Sequence, residues 1–319
     1  MKIVMLERSS VGEEISVDVL EALGELTVYD TTGYELIADR IKDADVVIAN
    51  KSPLNESTMS DAGNLKLICE LATGYDNVDT DYCKTRGIRL CNVRGYSTEA
   101  VVQHTFGLLL YVFEKLSFYD NFVKSGEYSK QDSFCNYDRN FGELSGKTWG
   151  IVGMGAIGSR VAEIASSFGM RVVHYSVRNV KNDCKYETLT FDEFLGSSDI
   201  ISIHCPLNDD TRGLFNYDTF TRMKKDAILI NVARGGIVVD ADLYRALNEN
   251  LIYGAGLDVT STEPMSNDNP LSHFMDSTRL IITPHMAWAS NEARDRVVKE
   301  TALNIEAFIS GVERNVIVR

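Results

Sequence analysis

The stretch TWGIVGMGAIGSRVAEIASSF, residues Thr148–Phe168, decides the fold. Its first five residues favour a strand, and its last ten have the apolar spacing of a helix. Between them stand Gly153, Gly155 and Gly158. The first glycine permits a tight turn, the second lets backbone approach a pyrophosphate, and the third lets the helix pack closely on the strand. We interpret the stretch as the start of a dinucleotide-binding unit.

The same motif predicts how a dinucleotide is held. Ala156 and Ile157 begin the helix, where free amides and the helix dipole favour phosphate. A carboxylate that binds the adenosine ribose normally follows the next strand, but Ser176 occupies that position and Arg178 stands two residues on. A guanidinium can pair with a 2′-phosphate, so we expect NAD(P) as cofactor, with NADPH favoured weakly over NADH. The alternative is that Arg178 is a solvated loop charge.

Short β-branched runs alternate with amphipathic stretches along most of the chain, which predicts parallel sheets covered on both faces. The fold class is therefore α/β, with two doubly wound parallel-sheet domains. The first series is predicted as strands Lys2–Leu6, Leu26–Tyr29, Asp45–Ala49, Leu67–Leu71 and Ile88–Cys91, with helices over Glu13–Leu23 and Tyr34–Ile41. The second is predicted as six strands, Thr148–Val152, Arg171–Val177, Asp199–His204, Ala227–Val232, Tyr253–Val259 and Leu280–Thr283. Long helices are expected over Ser97–Leu116 and Asn291–Ile309.

Composition limits the possible partners. The chain has 319 residues and a formal net charge of −14, which argues against nucleic acid and against an anionic membrane surface. Its six cysteines include no CxxC pair, so we expect reduced thiols in a cytoplasmic protein and no metal site. Anionic ligands must then be bound by a few local cations.

The segment of residues 117–145, here called the aromatic arm, belongs to neither predicted sheet. It carries seven aromatic residues with weak periodicity: Phe118, Tyr119, Phe122, Tyr128, Phe134, Tyr137 and Phe141. Clusters of exposed aromatic side chains are disfavoured, so we expect this arm to bury them against a second subunit. A loose surface loop is the alternative.

Three polar segments follow strands of the second series. They carry Arg234 in NVARGG, Glu263 in GLDVTSTEP and His285 in TPHMAW. Open α/β sheets bind ligands at the carboxyl ends of their strands. A cation for a carboxylate, a proton donor for a new alkoxide and a carboxylate for that donor suit hydride transfer to a 2-keto acid.

These motifs give the chain a specific resemblance. Over its whole length it resembles the D-isomer-specific 2-hydroxyacid dehydrogenases, in the glycine motif, in these three polar segments and in ATGYDNVD, residues 72–79. The resemblance implies a Rossmann nucleotide domain, residues 99–286, inserted into a flavodoxin-like substrate domain of residues 1–98 and 287–319. It also implies a homodimer formed through the nucleotide domain, with the arm as the dimerisation element.

The resemblance also implies roles for individual residues. Arg234 would bind the carboxylate and carbonyl of the substrate, His285 would donate a proton, and Glu263 would hold the imidazole. Besides the glycine motif, Ser176 and Arg178, the residues expected to contact cofactor are His204, Pro206, Thr211, Val232 and Asp258, the last at the nicotinamide carboxamide. Besides Arg234 and His285, those expected to contact substrate are Lys51, Leu54, Thr73, Gly74, Tyr75 and Trp288.

Three features resemble the branch of hydroxypyruvate and glyoxylate reductases, also called glycerate dehydrogenases. They are Trp288, Asn50–Leu54 and Cys91–Thr98. The resemblance thus implies reduction of hydroxypyruvate or glyoxylate to D-glycerate or glycolate. Two alternatives stay open, a reductase of a bulkier 2-keto acid and a nucleotide-sensing scaffold of the same fold. Trp288 itself could be a core residue.

Overall fold

The computed structural model describes residues 1–177 and 184–319. The chain divides into two compact units. One is discontinuous and combines Met1–Ser97 with Trp288–Arg319, and the other is the continuous stretch Thr98–Ala287. Each unit contains one sheet flanked by helices, which confirms the α/β fold class.

The discontinuous unit has a six-stranded sheet. Its strands are β1 (Lys2–Met5), β2 (Glu25–Val28), β3 (Val46–Ala49), β4 (Leu67–Glu70), β5 (Arg89–Cys91) and β13 (Val316–Val318). The order is β2-β1-β3-β4-β5-β13, and the first five strands are parallel in the flavodoxin-like arrangement. The final strand pairs antiparallel with β5. Sequence patterning did not predict that edge strand.

Local signals explain where the helices of this unit begin. They are α1 (Asp18–Glu21), α2 (Tyr34–Ile41), α3 (Glu56–Met59), α4 (Thr80–Arg86) and α11 (Asn291–Ile309). The side chains of Asn55, Asp79 and Ser290 cap α3, α4 and α11 by accepting from backbone amides. Helices cover both faces of the sheet, so every residue of β3 and β4 is buried.

One predicted helix is wrong. Glu13–Leu23 was expected to be helical, but only Asp18–Glu21 is. The guanidinium of Arg8 donates to the carbonyl oxygens of Gly12, Glu13 and Ile15, at 2.6, 3.2 and 2.5 Å. The carbonyls of Glu13 and Ile15 are therefore bound to a side chain and not to amides one helical turn later.

The continuous unit has a seven-stranded parallel sheet. Its strands are β6 (Thr148–Val152), β7 (Arg171–Tyr175), β8 (Glu187–Thr188), β9 (Ile200–Ile203), β10 (Ile228–Asn231), β11 (Gly254–Leu257) and β12 (Leu280–Ile282). The order is β12-β11-β10-β9-β6-β7-β8, so the direction of winding reverses at β6. The prediction of six strands is corrected to seven, because the two-residue β8 adds to the edge beside β7.

The helices of this unit are α5 (Thr98–Phe113), α6 (Leu116–Lys124), α7 (Ala156–Ser167), α8 (Phe191–Ser197), α9 (Tyr217–Arg222) and α10 (Asp240–Asn248). The predicted helix Ser97–Leu116 is shorter than expected, because the chain turns at Lys115, which has a left-handed φ of 56°. Helix α6 then lies at the start of the aromatic arm. Phe134, Tyr137 and Phe141 of the arm are exposed.

Within residues 1–177 and 184–319, no helix is both long and apolar enough to cross a membrane. No group of three or more His, Cys, Asp or Glu side chains in those ranges could hold a metal ion.

The tight contact at Gly158 gives a test of the fold. A Cβ on Gly158 would lie 2.1 Å from the carbonyl oxygen of Gly153, whereas one on Gly196 of α8 would meet no described atom within 4 Å. We expect Gly158→Ala to lower the free energy of unfolding by about 1–3 kcal/mol through overpacking. The matched Gly196→Ala should instead raise it by up to about 1 kcal/mol, since alanine favours helix. Denaturant unfolding measures both, and equal effects would contradict the packing account.

Candidate active site

The residues predicted to contact a dinucleotide follow neighbouring strands of the continuous unit. Gly153 follows β6, Ser176 follows β7, His204 follows β9, Val232 follows β10 and Asp258 follows β11. Because all these strands are parallel, their carboxyl ends lie along one edge of the sheet. The structure therefore brings five separate sequence segments to the edge where such sheets bind ligands.

The glycine turn leaves room for an anion. Gly153 has a φ of 95°, and a Cβ there would lie 2.6 Å from the backbone nitrogen of Cys205. A Cβ on Gly155 would meet no atom of the described chain within 4 Å. Gly155 is the N-cap of α7 and provides no side-chain cap, so the first amides of this twelve-residue helix are available to a ligand. This open turn fits a pyrophosphate group.

His204, a half-buried histidine after β9, lies at this edge with one ring nitrogen inaccessible to solvent. The indole N–H of Trp149 donates to Ser202 Oγ at 2.8 Å, and Ser202 Oγ lies 2.9 Å from His204 Nε2. Since an indole can only donate, the serine proton is free to go to Nε2, which leaves the ring proton on Nδ1. That buried Nδ1 has no hydrogen-bond partner among the described residues. Burial lowers the pKa of His204 to about 3, so the ring is neutral at ordinary pH and suits a neutral donor to a cofactor oxygen.

The remaining predicted cofactor residues differ in what they offer. The Thr211 hydroxyl donates to the carbonyl of Pro206 at 2.8 Å and accepts from the amide of Asn208 at 2.8 Å. Thr211 thus fixes the turn after β9, and Pro206 is exposed on it. Ser176 is half-buried after β7, while Arg178 lies outside the described residues.

The predicted proton donor and its carboxylate are in contact. His285 Nδ1 lies 2.7 Å from Glu263 Oε2, and the two side chains are 24% and 33% exposed. The carboxylate can only accept, so Nδ1 carries a proton and Nε2 is the nitrogen left to act on a substrate. This arrangement suits a histidine that donates a proton and is stabilised when charged.

The backbone at His285 has an unusual conformation. His285 has a φ of 55°, in the left-handed region that few residues other than glycine adopt. Its amide donates to the backbone oxygen of Asp258 at 2.8 Å. The Asp258 carboxylate then accepts the next two amides, from Met286 at 2.7 Å and Ala287 at 2.8 Å. Asp258 therefore holds three successive amides of the histidine turn.

Two further side chains hold Asp258 itself. Thr283 Oγ1 donates to Asp258 Oδ1 at 2.6 Å, and His104 Nε2 lies 2.9 Å from that hydroxyl and 3.5 Å from Oδ1. Burial raises the pKa of Asp258, but the hydrogen bonds from His104, Thr283 and the two amides outweigh burial and hold that pKa below its usual value. Sequence reasoning missed His104 and Thr283. A lone histidine in the apolar sequence of α5 was the one available signal for His104.

The arginine segment packs against the glutamate segment. The Asn231 side chain accepts from the amide of Ala233 at 3.1 Å and donates to the carbonyl of Arg234 at 3.0 Å, which fixes the turn after β10. A Cβ on Gly235 would lie 1.8 Å from the carbonyl oxygen of Thr260. Only glycine permits this approach, so Gly235 brings the turn of Arg234 against the segment that carries Glu263.

A buried aspartate anchors the glutamate segment on both sides. Asp240 Oδ2 accepts from the amide and hydroxyl of Ser261, at 3.2 and 2.6 Å, and from the Asn269 side chain at 2.7 Å. Glu263 lies between these two anchors, and its Oε1 also accepts from the amide of Thr260 at 3.3 Å. The sequence showed Asp240 after Val239 but gave no sign of this contact, because its partners come about twenty to thirty residues later in the chain.

The predicted substrate residues lie in the discontinuous unit, apart from Arg234 and His285. Lys51 and Leu54 follow β3, and Thr73, Gly74 and Tyr75 follow β4 on the segment of residues 72–79, here called the substrate loop. Leu54 is fully buried in the apolar core, and Lys51 and Thr73 are exposed. Trp288 is half-buried, and its ring lies 6.2 Å from that of Tyr96 in an edge-on arrangement.

Comparison with known proteins identifies the family. Residues 106–287 match the model of the D-isomer specific 2-hydroxyacid dehydrogenase, NAD binding domain. The chain is 38% identical to a hydroxypyruvate reductase of Blautia hydrogenotrophica, over 99% of both chains. It is 36% identical to a glycerate dehydrogenase of Methylorubrum extorquens, over 99% of this chain and 98% of the relative.

A solved structure agrees with these relatives. The D-lactate dehydrogenase of Aquifex aeolicus, determined with NAD and lactic acid, is 30% identical and superimposes with a TM-score of 0.87, covering 100% of this chain and 99% of that one. The resemblance inferred from the motifs is thereby confirmed. The chain belongs to the D-isomer-specific 2-hydroxyacid dehydrogenases, oxidoreductases that act on CH–OH groups.

Proposed function

We propose that the protein reduces hydroxypyruvate or glyoxylate to D-glycerate or glycolate, with NAD(P)H as the reductant. The observation that carries this proposal is the 2.7 Å bond from His285 to Glu263 at the carboxyl edge of a dinucleotide-type sheet. The two relatives named as a hydroxypyruvate reductase and a glycerate dehydrogenase support the choice of substrate.

The reaction adds a hydride and a proton across a carbonyl. The reduced nicotinamide, when bound, supplies the hydride to the carbonyl carbon. His285 donates the Nε2 proton to the carbonyl oxygen, and Glu263 stabilises the charged ring through Nδ1 until that proton leaves. Arg234 binds the substrate carboxylate and polarises the carbonyl with its planar set of donors.

Asp258 has two tasks in this proposal. It holds the amides of His285, Met286 and Ala287, so that the imidazole is aimed before substrate arrives. Its Oδ2 accepts from Ala287 and has a second lone pair, which is suited to the carboxamide of a nicotinamide. Asp258 is therefore proposed to orient both the proton donor and the cofactor.

The remaining cofactor contacts follow the edge of the sheet. The amides at Ala156 and Ile157 bind the pyrophosphate, with Gly153, Gly155 and Gly158 giving the close approach. His204, Pro206, Thr211 and Val232 are proposed to contact the rest of the dinucleotide. Ser176 and Arg178 are proposed to accept a 2′-phosphate, which favours NADPH weakly over NADH.

The substrate contacts rest on the family resemblance and on the position of the substrate loop after β4. Thr73, Gly74 and Tyr75 are proposed to bind the carboxylate, with Lys51 as a nearby cation and Leu54 supporting the loop from the core. Trp288 is proposed to limit the size of the substrate. A wider pocket would favour a bulkier 2-keto acid. Comparing kcat/KM across a panel of short and bulky 2-keto acids distinguishes these two substrate classes.

We propose that the protein is a cytoplasmic homodimer. The arm exposes Phe134, Tyr137 and Phe141, and a cavity of about 510 Å³ lies between this part of the arm and α6. Such an apolar surface is suited to a second copy of the chain, so we propose a homodimer, which light scattering can test. The six cysteines are free, which agrees with a cytoplasmic protein.

Removal of the proton donor tests the proposed reaction. We expect His285→Gln to lower kcat by about 10²–10⁴-fold, since a general acid contributes about that much. Cofactor affinity, measured by quenching of protein fluorescence, should change little. His273→Gln is the matched control, because His273 is exposed in a short turn. A normal kcat in His285→Gln would contradict the assignment, and a wild-type protein inactive on every 2-keto acid would favour the scaffold alternative.

The cofactor choice has its own test. We expect kcat/KM to be higher with NADPH than with NADH. Arg178→Ala should lower kcat/KM for NADPH by about tenfold or more, the usual cost of losing a charge-assisted hydrogen bond, and should leave that for NADH almost unchanged. Lys225→Ala, at an exposed site in the same unit, is the control. An NADH preference in the wild type would refute the 2′-phosphate contact.

A further inference from the structure

The last residue of β4, Glu70, is a fully buried carboxylic acid that the proposed reaction does not use. Its Oε2 accepts from the Asn77 side-chain nitrogen at 3.2 Å. The same nitrogen donates to the backbone carbonyl of Ser52 at 3.0 Å. Asn77 belongs to the substrate loop, and Ser52 belongs to the segment after β3. The side-chain amide of Asn77 therefore connects Glu70, the substrate loop and the segment after β3.

Backbone contacts hold the far end of the loop against the same segment. The amide of Leu54 donates to the carbonyl of Asn77 at 2.9 Å, and the amide of Asp79 donates to the carbonyl of Leu54 at 2.8 Å. These two bonds align Leu54 with Val78 as a short parallel bridge. The Asn77 side chain lies at the point where this bridge begins.

The near end of the loop is fixed separately. The amide of Val93 donates to the carbonyl of Ala72 at 2.9 Å, and the Thr73 hydroxyl donates to the carbonyl of Val93 at 2.8 Å. Between the two fixed ends lie Gly74, Tyr75 and Asp76. The amide of Val78 also donates to the carbonyl of Tyr75 at 3.0 Å, so the Tyr75 backbone is joined to the bridge that begins where Asn77 is held.

The surroundings favour a neutral acid at Glu70. Burial raises the pKa of Glu70 well above its usual value, and the bond from Asn77 lowers it by less. The charged groups that face it are Glu7 after β1, Asp76 in the loop and Lys51 after β3, and the two carboxylates add to the effect of burial while Lys51 opposes it. Glu7 is itself held by the amides of Asn50 and Lys51, at 2.8 and 3.0 Å.

We propose that Glu70 is a positioning residue: through Asn77 it fixes the Gly74–Tyr75 backbone for the carboxylate of the 2-keto acid. The proposal rests on the proposed function, because it takes the loop to be the carboxylate site. Ionised Glu70 would be a buried charge with one of its oxygens, Oε1, unpartnered among the described residues. Ionisation should therefore displace the loop.

The test compares two variants at this position. Glu70→Gln keeps the shape and the acceptor for Asn77 but cannot ionise, whereas Glu70→Met keeps the volume and loses the acceptor. We expect Glu70→Met to raise KM for the keto acid by about tenfold, equivalent to about 1.4 kcal/mol. The kcat and the affinity for the cofactor should stay near wild type. Glu70→Gln should retain the wild-type KM, and Glu25→Met, at an exposed site in the same sheet, should behave as wild type.

The pH dependence separates positioning from a general loss of stability. A buried acid with a raised pKa contributes stability that is present in full below the ordinary carboxyl range and is lost as pH rises through the folded-state pKa. As pH rises from the ordinary carboxyl range toward the raised pKa of Glu70, the wild type should therefore lose stability relative to Glu70→Gln, and its KM should rise where Glu70 ionises in the folded protein. Glu70→Gln should have no such rise in KM.

Hydrogen exchange at the amides of residues 74–76 distinguishes failure of the positioning role of Glu70 from failure of the proposed function. Faster exchange in Glu70→Met together with a raised KM supports the proposal. Unchanged exchange and unchanged KM overturn it. Faster exchange with unchanged KM also overturns it and shows that the loop is not the carboxylate site. If the wild type reduces no 2-keto acid, the proposed function fails, and exchange alone then decides whether Glu70 holds the loop.

Discussion

The arrangement of the candidate active site depends on one buried carboxylate, Asp258. Its backbone oxygen and its two carboxylate oxygens together accept the amides of His285, Met286 and Ala287. A left-handed backbone at a histidine is uncommon and costs free energy, so it persists only where the surroundings determine it. The hydrogen bonds to Asp258 fix the left-handed backbone of His285. Thr283 and His104 in turn hold the Asp258 side chain.

The parallel sheet makes this arrangement possible. Each strand of the continuous unit ends at the same edge, so turns that are far apart in the chain supply a glycine cradle, an arginine, an aspartate and a histidine to one place. In a chain with a net charge of −14, anionic ligands cannot rely on a general positive field. We propose that they depend on local donors, namely helix amides, the neutral His204 ring and the Arg234 guanidinium. The carboxylates of Glu263 and Asp240 instead contact groups of the protein itself, the His285 ring and the Ser261 hydroxyl.

Local patterns in the sequence predicted the parts of the fold that local interactions determine. The strand Thr148–Val152 and the helix Tyr34–Ile41 were predicted with the bounds that the structure has. The contact between Glu263 and His285 was predicted from a family motif and not from physical reasoning alone. The predicted helix Glu13–Leu23 failed because Arg8 binds its first carbonyls, and no local pattern reveals such a contact. The hydrogen bonds that join His104 to Thr283, 179 positions later, and Thr283 to Asp258 could for the same reason be found only in the folded structure. The same holds for the Glu70–Asn77 bond.

The most direct measurement of the central claim is the rate of hydride transfer in a single turnover of Asp258→Asn, followed by the absorbance of the reduced cofactor. An amide places a donor where the carboxylate accepts backbone amides, so the histidine turn should shift. We predict a loss of about 10²-fold in that rate at saturating cofactor, as expected for a misplaced catalytic group. The exposed Asp226→Asn should keep the wild-type rate. A wild-type rate of hydride transfer in Asp258→Asn would contradict the claim that this carboxylate positions the proton donor.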